Sequence, residues 1–117
     1  MTDSVLRFFA AWSVPDDAAR DAQIAATLGA TILYADPRTP APLTTPAAVQ
    51  DYVGQFSKSA PGWPVEAVHL SKTLGFVRAT VRFGEGDHAQ WGQYVADLDD
   101  AGLITRLVGF VGLGSPS

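Results

Sequence analysis

An aspartate at the end of a short apolar run, Asp36 in TILYADP, is the side chain best placed for proton transfer. A carboxyl group walled off from water can take and return a proton near neutral pH. The competing reading is structural, since an aspartate ahead of Pro37 also caps the bend in solvent. On pattern alone this turn reading is the stronger. Tyr94 is the second candidate, as its phenol could hydrogen-bond a ligand oxygen and stabilise developing negative charge. It could equally be a packing aromatic whose hydroxyl needs a partner once buried. Tyr34 stands two residues before Asp36 and shares its side of the strand. It could bond a ligand or orient the carboxylate, and core packing accounts for it as well.

The remaining reactive residue types offer less. His69 near a strand end could relay protons if it pointed inward beside Asp36, but His88 follows Gly86-Asp87 in a solvated turn. With two histidines and no cysteine, a transition-metal site lacks good ligands, and no metal and no cofactor are expected. Gly109, Gly112 and Gly114 neither match G-x-G-x-x-G nor open a helix. Ser13, Ser57 and Ser59 lack the G-x-S-x-G elbow of a nucleophilic serine. A net charge of −4 repels phosphate backbones and anionic lipid heads, so neither nucleic acid nor membrane is an expected partner. The first residues, MTDSVLRFFAAW, carry too short an apolar run for a secretory signal or a membrane span, and a cytoplasmic protein is expected. At 117 residues and 47% hydrophobic side chains, one domain spanning 1–117 is expected.

The elements that must position these side chains follow from periodicity. Val5, Phe8, Phe9 and Trp12 recur at three and four residues, predicting a helix with Thr2 to Ser4 as capping residues. Asp16 and Asp17 open a second helix predicted to run to Leu28, with Gly29 as its stop and Ala18, Ala22, Ala25 and Leu28 as its buried stripe, Ile24 flanking. Ala30 to Asp36 reads as a strand ended by Pro37. Four prolines fall between Pro37 and Pro46, giving an ordered surface loop that could serve as a lid. Thr45-Pro46 starts a third helix with Val49, Tyr52, Val53 and Phe56 along one stripe.

From Trp63 onward the period is two. Strands are predicted at about Pro64 to Leu70, Thr73 to Phe83, Ala89 to Leu98 and Leu103 to Gly112, and their short links, beginning with Ser71-Lys72, demand antiparallel neighbours. One face gathers Val77, Ala79, Val81, Phe83, Gly92, Tyr94, Ala96, Leu98, Leu107, Gly109 and Val111. Its small residues either mark bends or leave a partly polar hollow under the helices. The other face gathers Val68, Leu70, Phe76, Trp91, Val95, Ile104, Val108 and Phe110 among Glu66, Arg78, Arg82, Asp97 and Arg106. A second copy of the chain is expected to cover it, giving a homodimer; scattered apolar residues on a monomer are the alternative.

The order helix, helix, strand, helix, four strands, with YADP at Tyr34 to Pro37 and DLDDAGLITRLVGFVG at Asp97 to Gly112, resembles the nuclear transport factor 2-like superfamily in its SnoaL-like and ketosteroid isomerase-like branch. The resemblance covers nearly the whole chain and implies an α+β fold: a cone-shaped, curled antiparallel sheet with three helices from the N-terminal half on its concave face. It also implies roles. The aspartate before proline that serves the steroid isomerases as general base matches Asp36, and their protonated aspartic acid, an oxyanion donor, falls on Tyr94. Their first-helix tyrosine falls on Phe8, which has no hydroxyl, or on Trp12, so the chain departs from them there. The fold hosts many activities. The function expected is binding of a small apolar carbonyl or hydroxyl compound, with isomerisation, cyclisation or dehydration through Asp36 and Tyr94, and a cavity lined by Phe8, Trp12, Tyr34, Tyr52, Phe56, Trp63, Leu107 and Val111. The alternative is a non-catalytic binding or dimerisation module with a residual pocket.

Overall fold

The computed structural model describes residues 3–114, so the capping role of Thr2 lies outside the described residues. Three helices, α1 (Asp3–Ala11), α2 (Asp17–Ala25) and α3 (Pro46–Ser59), pack on five strands: β1 (Leu28–Ala35), β2 (Val65–Thr73), β3 (Phe76–Phe83), β4 (Gln90–Leu98) and β5 (Ile104–Val111). The strands form one curled, unclosed sheet in the order β1-β5-β4-β3-β2. The sheet is mixed: β2 to β5 form an antiparallel meander, whereas β1 pairs with β5 in parallel. The chain returns to the sheet edge through α3 and the meander, so no short link dictates an antiparallel partner for β1.

The first helix buries Val5, Phe8, Phe9 and Trp12 as its spacing requires. The Ser4 hydroxyl donates to the Gly102 carbonyl across the fold at 2.6 Å. Helix α2 is shorter than predicted and rotated. Asp16 is its N-cap, accepting from the Ala19 amide at 2.8 Å, but the helix ends at Ala25, and Leu28 and Gly29 belong to β1. Its buried residues are Arg20 and Ile24, while Ala18, Ala22 and Ala25 are exposed. Alanine offers too little apolar area to set a helix rotation against an isoleucine. The arginine can be buried because it pairs with Asp17 and donates to the Val14 carbonyl at 2.9 Å.

Thr45 accepts from the Ala48 amide at 3.1 Å and Pro46 follows it into α3, as the sequence predicts. The proline loop ahead of it is pinned: Tyr34 and Leu43 exchange both backbone hydrogen bonds at 2.8 Å, covering the free edge of β1. The first hairpin turns at Leu74-Gly75 rather than at Ser71-Lys72, because β2 stays paired to Thr73, opposite Phe76. A register shift beside Leu98 turns Ile104 inward, so this residue of the predicted outer face is fully buried in the core. Among the described residues no helix is long and apolar enough to cross a membrane.

Candidate active site

Where β1 ends, the chain enters a tight turn over Asp36, Pro37, Arg38 and Thr39. The Thr39 amide bonds back to the Asp36 carbonyl at 3.2 Å, and the Thr39 hydroxyl accepts from the Asp36 amide at 3.1 Å. One Asp36 carboxylate oxygen accepts from the Arg38 amide at 2.8 Å and the Thr39 amide at 3.2 Å. These bonds fix the direction of the carboxylate before any other element is considered. They hold it toward the protein interior, where two phenols meet it. Tyr34 donates to the other oxygen at 2.6 Å, and the Tyr52 hydroxyl lies 2.7 Å and 2.9 Å from the two oxygens. Tyr34 reaches it by strand alternation, Tyr52 from one face of α3.

Tyr94 on β4 completes the group. Its ring lies over the backbone of Gly109, its cross-strand partner on β5, where a Cβ would fall within 2.9 Å of three ring atoms. At Gly92 an added Cβ would meet the same ring at 3.1 Å. Gly92 and Gly109 therefore seat an aromatic ring, and Gly92 and Tyr94 also line the cavity beside it.

All three tyrosines of the chain thus gather around one carboxylate. Each has its ionisation pushed above the ordinary value of 10.0. Burial is the main cause in every case. The Tyr94 phenol and the Asp36 carboxylate add to it at Tyr34, and the hydrogen bond to Asp36 adds to it at Tyr52; at Tyr94 the carboxylate raises it further, while a hydrogen bond with Tyr34 pulls the other way. The phenols remain neutral donors in ordinary buffers. Because the native state holds these protons more tightly than the unfolded chain, their contribution to stability is complete below pH 10 and is lost as the pH rises through the folded values. Absorbance titration is expected to show tyrosinate only well above pH 10, together with falling stability; ordinary titration near pH 10 in a still-folded protein would contradict the enclosure of these groups.

Beside this cluster lies a cavity of about 510 Å³, partly open to solvent. Asp36, Tyr94, Trp12, Tyr52, Phe56 and Val111 line it. The other predicted wall residues do not. Phe8 and Leu107 are fully buried in the core, Phe8 edge-on to Phe9. Tyr34 is likewise fully buried; it orients the carboxylate from behind instead of facing a ligand. Trp63 packs outside the cavity against Phe56 and over Gly84, where a side chain would meet its ring at 3.3 Å. His69 is exposed and pairs with Ser71 at 3.3 Å, away from Asp36.

Sequence reasoning missed Arg38, Phe83, Gln90, Trp91, Phe110 and Leu113 as lining residues. Trp91 and Phe110 belong by alternation to the outer face, but they sit where β4 begins and β5 ends, so their side chains reach the rim. Arg38 had a legible signal, standing two residues beyond Asp36 in the same turn. The Trp12 indole N–H is buried with no partner among the described residues. Among those residues no three or more His, Asp or Glu side chains converge to hold a metal ion.

No protein-family model matches the chain, and no curated protein matches it in sequence. Solved structures do match in fold. A SnoaL-like family protein from Agrobacterium tumefaciens, a candidate isomerase, aligns with a TM-score of 0.83 at 21% identity over 95% of this chain and 96% of that one. A candidate ketosteroid isomerase from Kribbella flavida gives 0.70 at 19%, covering 98% and 79% of the two chains. A candidate SnoaL-like polyketide cyclase from a Jannaschia species gives 0.76 at 13%, over 93% and 83%. The chain has the fold of SnoaL-like and ketosteroid isomerase-like proteins.

Proposed function

We propose that the chain binds a compact, largely apolar molecule bearing a carbonyl or hydroxyl group and moves a proton on it, with Asp36 as the acid/base. Isomerisation, cyclisation and dehydration all need such a step. The observation that carries this reading is a carboxylate in the wall of an aromatic cavity, held between two neutral phenols at 2.6 Å and 2.7 Å. When Asp36 takes a proton from carbon, negative charge moves to the ligand oxygen, and Tyr94 supplies a protonated donor on the same cavity wall. The names of the neighbours in fold, isomerase and cyclase candidates, agree with this chemistry. One observation favours the second reading, non-catalytic binding: the carboxylate also accepts from two backbone amides, as a turn aspartate would.

Exchange of the methyl protons of 2-acetylnaphthalene in heavy water, followed by NMR, separates the two readings. Enzyme-accelerated exchange that disappears in Asp36→Asn supports the acid/base role, and exchange indifferent to the substitution rejects it.

The proposal includes a homodimer through the outer sheet face, working in the cytoplasm. Val68, Phe76 and Val95 are exposed there, flanked by the Arg82–Glu66 and Arg106–Asp97 pairs. Burying the apolar centre inside a charged rim is the usual anatomy of such contacts. Light scattering at micromolar concentration is expected to give twice the chain mass, with Val95→Glu reducing it to one; a wild-type monomer overturns this part.

A further inference from the structure

The polar groups of the cavity are unevenly placed. Around Asp36 every strong acceptor is already engaged by Tyr34, Tyr52 and the turn amides. At the mouth the reverse holds. Arg38 lines the cavity, is exposed, and belongs to no ion pair among the described residues. Its guanidinium meets one side chain, the amide of Gln90 from β4, at 3.1 Å. A guanidinium has no acceptor, so Gln90 must offer its oxygen and keep its NH₂ as a further donor. Among the described residues this is the one hydrogen bond of the Arg38 guanidinium.

We propose that Arg38 and Gln90 recognise a carboxylate at one end of the ligand, which makes the substrate class a hydrophobic carboxylic acid. The inference deepens the small-molecule reading above and rests on it. A guanidinium outside any ion pair among the described residues, with an amide NH₂ beside it, favours a group that only accepts and carries negative charge. The planar fork of the guanidinium fits two carboxylate oxygens, which an alcohol or ketone cannot supply. Orientation follows from the opposite pole. Asp36 repels a second carboxylate deep in the cavity, so the acid group stays at the mouth while the carbon skeleton lies inward against Trp12, Phe56 and Phe83. The positive charge of Arg38 is felt inside the cavity, where it partly offsets the upward shifts of Tyr52 and Tyr94.

Calorimetric titration with 2-naphthoate and its uncharged isostere 2-naphthamide tests this. The wild type is expected to bind the acid about tenfold more tightly than the amide, the advantage of one charge-assisted contact at a solvent-open mouth. Arg38→Gln, a change at an exposed side chain, is expected to abolish the preference by weakening naphthoate binding about tenfold relative to naphthamide; Arg38→Lys restores part of it. Equal affinities in the wild type, or a preference that survives Arg38→Gln, overturn the proposal. Binding of neither probe overturns it together with the cavity reading. An acid preference that depends on Arg38, combined with proton exchange unaffected by Asp36→Asn, would uphold this inference and reject the acid/base role.

Discussion

Asp36→Asn is expected to slow proton exchange of a bound aryl ketone by about 10²–10⁴-fold, the range by which a positioned acid/base group accelerates such a step. The substitution removes the basic oxygen and little else. An asparagine carbonyl can still accept from the Arg38 and Thr39 amides, which hold this side chain in its turn. Its NH₂ then faces hydroxyls that formerly donated to a carboxylate, and the Tyr34 and Tyr52 protons must rotate to accommodate it. That rearrangement costs about 1–2 kcal/mol of stability. A denaturant melt run beside the exchange measurement separates loss of chemistry from loss of fold. A variant that stays folded, binds the ketone and exchanges its protons at the wild-type rate would leave Asp36 as a structural turn residue.

The second large effect is on stability. Gly109→Ala places a Cβ within 2.9 Å of three atoms of the Tyr94 ring. The ring cannot retreat, because Phe9 lies 4.7 Å away centroid to centroid, Phe83 lies 6.3 Å away, and Gly92 already marks the closest approach of the backbone. Overpacking of this kind costs about 3 kcal/mol, or about 10 °C in the melting temperature of a domain of this size. The cost belongs to the pair and not to the glycine alone. In a Tyr94→Ala background the same Gly109→Ala change is expected to be nearly neutral, a coupling that a double-mutant cycle reads directly. An undiminished penalty in that background would trace it to the strand backbone instead.

Much of this arrangement is legible in the sequence because it is local. Period-two alternation finds the meander, Thr45-Pro46 marks the start of α3, and the Asp-Pro step locates the carboxylate at the end of β1. What escapes is non-local or depends on size. Alternation loses count at the register shift beside Leu98, which sends Ile104 to the wrong face. A stripe of alanines looks like a buried face until an arginine paired with Asp17 and bonded to the Val14 carbonyl takes its place. Tyr52 reads as one aromatic of a helical stripe, and nothing in its spacing says that its hydroxyl meets a side chain sixteen residues earlier. Likewise Gly109 reads as a bend or a void, since its reason is a ring on the neighbouring strand.

The paired backbone of Tyr34 and Leu43 has an evolutionary corollary. Tyr34 is at once a rung that fastens the proline segment and the holder of the Asp36 carboxylate, so residues 35–42 form a closed ring of fixed circumference. Adding or deleting a residue there would slip the rung and swing the carboxylate away together. Length variants among descendants of this chain are therefore expected in the turn before β4 or past Leu43, while the ring itself changes only by substitution.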